Sequence, residues 1–213
     1  MNLYTAFVEN LKSENVSFHI TIRRVLLTGN RVAWMAMLLS FTSCEQTIEP
    51  TRQFITYKGD HYSWPKPSES LQSQALTFEA RFNESAIYNF GDPALQSNKN
   101  KLMGFCDCNS LPHENSARFA WQWFEDRLEI FAYCYNNGVR EEKYVGVVNL
   151  NVYNHFEIGI TSRQYLFRLN NQPTVIMRRG TVCDQGAYFK LWPYFGGHVP
   201  APHNVIIDIG MTY

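Results

Sequence analysis

Four residues with chemical potential alternate along one stretch of the chain: Tyr188, Lys190, Trp192 and Tyr194. Upstream, Arg118 and Gln122, then Glu129, Tyr133 and Tyr135, keep the same even spacing. Successive side chains of an extended strand point to opposite faces, so each of these sets would share a face. Rings with polar tips, interleaved with groups that hydrogen-bond in pairs, suit a sugar: the ring stacks on its C–H face and the polar groups take its hydroxyls. The same pattern also fits an ordinary outer sheet face whose rings cover cross-strand neighbours. Both readings stay open.

Stronger catalytic signatures are missing. The chain has no Gly-x-Ser-x-Gly elbow, no His-Glu-x-x-His pair and no phosphate-cradling glycine loop. Carboxylates cluster in Glu125-Asp126-Arg127-Leu128-Glu129, but Glu125 and Asp126 fall where a turn is expected. A glycosidase needs two carboxyls set across a cleft. Cys106-x-Cys108 followed by His113 lacks the second paired half of a zinc site, so neither a metal nor a cofactor is expected.

The elements that must carry these residues are short and alternating. Strands are expected near 76–82, 117–124, 127–135, 143–149, 155–161, 164–169, 174–178, 186–195 and 204–211, with turns at Glu125-Asp126, Asn136-Asn137-Gly138, Ser162-Arg163 and Asn170-Asn171. No convincing helix interrupts them. The fold class is all-β, a two-sheet antiparallel sandwich. A two-residue turn at Glu125-Asp126 would set Trp121 beside Ile130 and Gln122 beside Glu129. Parity then sends Phe119, Trp121, Trp123, Ile130, Phe189, Leu191, Ile207 and Ile209 into the core.

The N-terminal part reads differently. Arg31 precedes an apolar run, Val32 to Phe41, which ends in Thr42-Ser43-Cys44. A basic residue, a short apolar stretch and small residues before a cleavage point form a secretory signal. Ten helical residues span only about 15 Å, half of a bilayer core, which disfavours a permanent span. Phe41-Thr42-Ser43-Cys44 resembles a bacterial lipobox, which implies lipidation of Cys44. The expected organisation is a signal segment over 1–43, a lipidated tether over 44–75, rich in Pro, Ser, Thr and Gln and carrying one strand at Phe54–Tyr57, and a sandwich over 76–213. Initiation near Val25, Leu26 or Leu27 would give the signal an ordinary length and leave 1–24 without a structural role. Export permits disulfides. With Cys44 lipidated, four thiols allow three pairings; the bridge Cys108–Cys183 between two loops is the expected one, and Cys134 has the parity of a buried free thiol.

Phe156–Thr161, the turn into Tyr165–Asn171, and Val175–Met177 resemble the laminin-G and concanavalin A-like jelly roll. That resemblance implies a superfamily of lectin-like modules, glycoside hydrolases and polysaccharide lyases, and fold does not choose among them. Tyr188-Phe189-Lys190 is similar to the start of the Tyr-Phe-Lys-Ala-Gly motif of alginate-lyase-like enzymes, which would give Tyr188, Lys190 and Arg118 catalytic roles. The sequence departs from that family afterwards: Leu191-Trp192 replaces Ala-Gly, no Gln-Ile-His segment is present, and Phe78-Glu79-Ala80-Arg81 is only distantly like its arginine strand. Charge is balanced, with 19 Lys+Arg against 19 Asp+Glu. No basic run interleaves with the 15 Phe, 12 Tyr and 5 Trp, so nucleic acid is not an expected partner. The leading expectation is a membrane-anchored, extracytoplasmic carbohydrate-binding or adhesive module without catalysis, whose partners are a glycan and, through its lipid, a bacterial membrane. The alternative is a polysaccharide lyase or glycoside hydrolase of the same fold.

Replacing Cys44 by Ala is expected to abolish incorporation of labelled fatty acid and to release the protein from membranes. Undiminished labelling of that variant would refute the lipidation.

Overall fold

The structure, a computed structural model, describes residues 50–107, 109–180 and 188–212. Cys44, Cys108 and Cys183 lie outside the described residues, and with them the lipidation site and the expected bridge. Thirteen strands are defined among the described residues: β1 (Arg52–Thr56), β2 (Ser63–Trp64), β3 (Ser70–Leu71), β4 (Ala75–Phe82), β5 (Asn100–Cys106), β6 (Ser116–Phe124), β7 (Arg127–Asn136), β8 (Val139–Val148), β9 (Asn154–Ile160), β10 (Gln164–Leu169), β11 (Val175–Arg178), β12 (Tyr188–Leu191) and β13 (Val205–Met211). Among the described residues, helix is confined to a single turn at Pro93–Gln96 and a 3-10 turn at Glu84–Ala86. No helix among the described residues is long and apolar enough to cross a membrane.

Two antiparallel sheets face each other, one ordered β11-β10-β9-β4-β13-β1-β2 and the other β3-β12-β5-β6-β7-β8. Side-chain parity drives their packing. Along β4, buried and half-buried residues alternate without a break, and β13 likewise buries Val205, Ile207, Ile209 and Met211. The ring of Phe119, from the six-stranded sheet, meets Phe156 and Phe167 of the other sheet edge-on at 5.0 Å each. Phe156 in turn stacks on Phe78 at 5.1 Å. Trp121 packs edge-on against Phe82 at 5.3 Å, also across the sheets. These inter-sheet aromatic contacts set the core, which also holds Ile130, Ile207 and Ile209; Trp123 packs at its margin.

The β6–β7 hairpin has the expected register, Trp121 opposite Ile130 and Gln122 opposite Glu129. Its turn places both Glu125 (φ 48°) and Asp126 (φ 56°) in the left-handed region, the geometry that matches the twist of paired strands. Three expectations need correction. Residues 52–71 are more than a tether with one strand: the strand expected at Phe54–Tyr57 is β1, which pairs with β13, and β2 and β3 extend the two sheets. β5 occupies an interior position of its sheet, where no strand was expected and Cys106 was assigned to a loop with Cys108; Leu102, Met103 and Phe105 are all buried. The faces of β12 are reversed. Phe189 and Leu191 pair with Cys106 and Gly104 and share their outer face, whereas Tyr188 and Lys190 turn inward. The inward groups find partners that the sequence does not announce: Lys190 Nζ donates to Glu69 at 3.1 Å, and the Tyr188 ring lies edge-on to Phe105 at 5.8 Å.

One end of the sandwich is held by a buried ion pair. Arg179 grips Asp107 in two places, Nε to Oδ2 at 2.6 Å and Nη2 to Oδ1 at 2.9 Å, while the Tyr165 hydroxyl donates to the same carboxylate. Cys106 and Cys134 are free, buried thiols, and burial pushes Cys106 up to about 11.

Trp121→Ala is expected to cost about 3–5 kcal/mol in urea denaturation, as for other fully buried large rings. Phe189→Ala, with the ring 47% exposed, is expected to stay within about 0.5 kcal/mol. Equal losses in the two variants would contradict the reversed face of β12.

Candidate functional site

The site begins with an irregularity in β5. Lys101 lies opposite Ala120 and Gly104 opposite Arg118, so β5 carries one more residue than β6 over that interval. Such a bulge re-aims side chains and recurs beside active sites. Here Leu102 and Met103 both enter the core, and Lys101 and Gly104 both reach the outer face. Gly104 is required at that point. A Cβ would sit 2.1 Å from the Ala117 carbonyl oxygen and 2.5 Å from the Arg118 Cα. Its bare backbone lets Arg118 lie across the neighbouring strand.

A second glycine closes the arrangement. Gly196 adopts φ +66°, and a Cβ there would meet the Val199 oxygen at 2.0 Å. Its amide donates to the buried Asn100 side chain, and its carbonyl accepts from Lys101 Nζ at 3.0 Å. Before it, β12 ends at Leu191 and the chain leaves strand geometry over Trp192 and Pro193. Tyr194 consequently comes out beside Lys101 and Arg118, and Phe195 enters the core against Tyr88 and Trp121.

Together these elements enclose a groove of about 420 Å³ on the outer side of the six-stranded sheet. Lys66, Lys101, Arg118 and Lys190 line it, with Tyr62, Tyr194, Trp192 and His113 among its walls, and no Asp or Glu lines it. Lys190 is paired with Glu69, whereas Lys66, Lys101 and Arg118 pair with no carboxylate among the described residues. Arg118 donates from Nη2 to the Trp192 carbonyl at 3.2 Å, and its buried Nε has no hydrogen-bond partner. Burial pulls the Arg118 guanidinium down to about 10. Lys101 is brought down to about 8, chiefly by burial and further by the positive Arg118 and Arg140, against a weaker opposing pull from Glu142. Burial raises Tyr194, and Tyr62 adds to the rise.

The residues anticipated from sequence divide into three groups. Arg118, Lys190, Trp192 and Tyr194 line the groove, although the Lys190 ammonium and the Trp192 ring are engaged elsewhere. Tyr133 and Tyr135 support it from beneath: Lys101 Nζ lies 5.1 Å from the Tyr133 ring, which burial pushes up to about 12, and His113 meets Tyr135 edge-on at 5.0 Å. Gln122 and Glu129 stand farther along the sheet and satisfy each other, Nε2 to Oε2 at 2.7 Å, while Lys99 donates to Gln122 at 2.8 Å. Tyr188, Lys190 and Trp192 do not offer the open face expected of them. Tyr188 is buried at 6% exposure, and the Lys190 ammonium is held by Glu69. Trp192 stacks on Phe54 of the opposite sheet at 5.0 Å and donates its indole N–H to the Pro67 carbonyl at 2.8 Å. Its ring seals the sandwich edge instead of presenting a stacking surface. Sequence reasoning missed Lys66, Tyr62, Lys101 and His113. The apolar run Leu102-Met103-x-Phe105 was the available signal for β5, but the bulge destroys its alternation.

Comparison with solved structures places this architecture. The alginate lyase AlyC3 superposes with a TM-score of 0.57 at 12% identity, over 76% of this chain and 74% of that one. The same enzyme in complex with dimannuronate gives 0.52 at 12% identity, over the same shares of the two chains. LamAcat from Zobellia galactanivorans gives 0.50 at 7% identity, over 76% and 77%. The fold is a jelly roll. At these identities the likeness concerns fold alone. No family model matches the sequence, and no curated protein does.

Gly104→Ala is expected to lower stability by about 1–3 kcal/mol through overpacking, measured by urea denaturation. A variant as stable as the parent would mean that β5 and β6 are not in the close contact on which the position of Arg118 depends.

Proposed function

We propose that the groove binds an acidic polysaccharide built of uronate-type sugars. One observation carries this reading: of the four cations that line a single aromatic-walled groove, only Lys190 pairs with a carboxylate among the described residues, and no carboxylate lines the groove itself. A bound carboxylate supplies the missing countercharge. The planar guanidinium of Arg118 matches a carboxylate in a two-pronged hydrogen bond, whereas Lys101 acts as a point charge. Tyr62 and Tyr194 offer ring surface to the apolar faces of the sugar. A neutral glycan would leave the other three cations uncompensated in a partly desolvated site. The likeness to a lyase solved with dimannuronate is in keeping with a uronate. A lipid on Cys44 would hold the groove at the outer side of a bacterial membrane, where such polymers are met.

Binding without turnover is the leading form of this reading. β-Elimination is the second, and the lowered Lys101 favours it, because a base must be partly neutral at the working pH. In that reaction Arg118 neutralises the carboxylate and neutral Lys101 takes the proton from the adjacent ring carbon. The released electron pair forms the carbon–carbon double bond, and the neighbouring C–O bond breaks onto the leaving sugar oxygen. That oxygen takes a proton from the Tyr194 hydroxyl. Lys101 and Tyr194 stand here in place of Tyr188 and Lys190, whose side chains turn to the other side of the sheet.

The two forms have opposite pH signatures. A bound carboxylate raises the pKa of Lys101 above its free value of about 8, so binding takes up a proton where the free amine is neutral. Affinity for polyuronate is therefore expected to be full below about pH 8 and to fall above it, whereas turnover of the bound chain through neutral Lys101 would rise only above about pH 8, through the raised pKa of the complex. Calorimetry across this range reports the first, and ultraviolet absorbance of unsaturated sugar ends reports the second. Lys101→Gln should flatten the binding profile. Equal affinity for neutral glucan and polyuronate would overturn the proposal.

A further inference from the structure

The groove does not end at Arg118. Its rim is formed by the segment that follows β1, where Tyr62 and Trp64 expose 59% and 52% of their surface. Neither ring is idle. The Lys66 ammonium stands 4.3 Å from the centre of the Tyr62 ring and 4.6 Å from that of Trp64. Tyr62 in turn meets Tyr194 edge-on at 5.0 Å, which joins the rim to the wall beside Lys101. Lys66 is thus an exposed cation held over two aromatic faces, without a carboxylate partner among the described residues. Ring contacts of this kind orient an ammonium without neutralising it.

From this we infer that Tyr62, Trp64 and Lys66 form a second subsite that recognises the carboxylate of the next uronate along the chain. The inference rests on the acidic-polysaccharide reading of the groove and adds to it a length requirement. Arg118 and Lys101 take one carboxylate; Lys66 takes its neighbour. When Lys66 moves onto that carboxylate, the faces of Tyr62 and Trp64 that it covered become available to the sugar ring. The subsite therefore selects contiguous uronates over an isolated acidic sugar in a neutral polymer. Its two rings lie on a paired segment, with Lys66 two residues beyond: Ser63 donates its amide and its hydroxyl to the Pro193 carbonyl, Tyr62 bridges Tyr194, and β2 pairs with β1. A subsite on paired backbone loses less freedom on binding than one on a loose loop.

The test is calorimetric titration of the full chain with mannuronate and galacturonate oligomers of one, two and three residues. The parent is expected to bind the dimer about ten-fold more tightly than the monomer, and Lys66→Gln is expected to weaken the dimer far more than the monomer, so that most of that gain is lost. Arg118→Ala is expected to weaken monomer and dimer alike. Equal binding of monomer and dimer by the parent would overturn the second subsite and leave the acidic-glycan reading standing. If Lys66→Gln leaves the dimer gain intact and Trp64→Ala removes it, the rim is a stacking platform for any sugar, and the carboxylate assignment fails. Absence of binding at every length would refute the underlying reading itself.

Discussion

The approach of β5 to β6 at Gly104 governs the outer half of this molecule. With no side chain in the way, the Arg118 stem crosses β5 closely enough that a single Cβ would collide with it. The adjoining bulge then puts Lys101 and Arg118 on one face, although their spacing along paired strands would not by itself predict it. Burial makes both groups easier to deprotonate than in solution, and the positive Arg118 adds to the effect on Lys101. The inter-sheet aromatic packing beneath them keeps the pair from relaxing apart. Stability of the core is what sustains electrostatic tension at the surface.

The outer faces of the two sheets resolve charge in contrasting ways. On the seven-stranded sheet, Arg81 and Asp208 lie opposite each other in register and pair at 2.7 Å, and Arg168 pairs with the facing Glu157. Such exposed pairs add little stability but leave no net field. On the six-stranded sheet the same balance holds only at one end, where Lys99, Gln122 and Glu129 close on one another. The other end keeps Lys66, Lys101 and Arg118 without carboxylates. A chain of nearly zero net charge therefore carries a locally positive groove, which whole-chain composition conceals.

What was legible from sequence follows the regularity of the strands. β6, β7 and β13 alternate cleanly, and a left-handed two-residue turn locks the first two in register, so Trp121, Ile130 and Ile207 could be assigned to the core from parity alone. β12 misled because its tyrosine and lysine have partners distant in sequence: Glu69 for Lys190, and Phe105 and the Arg179 region for Tyr188. An isolated strand offers no hint that its polar residues are the buried ones. β5 was invisible because a bulge erases period two. The rim containing Tyr62 and Lys66 was obscured by prolines that read as tether. Arg118 and Tyr194 were found, whereas Lys101 required the fold.

The two buried thiols give the protein an internal clock. Alkylating reagents attack the thiolate, and burial keeps both Cys106 and Cys134 protonated and out of reach. Their neighbourhoods differ in persistence. Cys134 lies on β7 between Ala117 of β6 and Glu141 of β8, inside three long paired strands. Cys106 ends β5 and pairs with Phe189 of β12, only four residues long and flanked by the two-residue β3. Fraying of that margin bares one sulfur while the other stays sealed, and only collapse of the whole sandwich bares both. The interval between the two modifications separates opening of the groove margin from loss of the fold, without any engineered label.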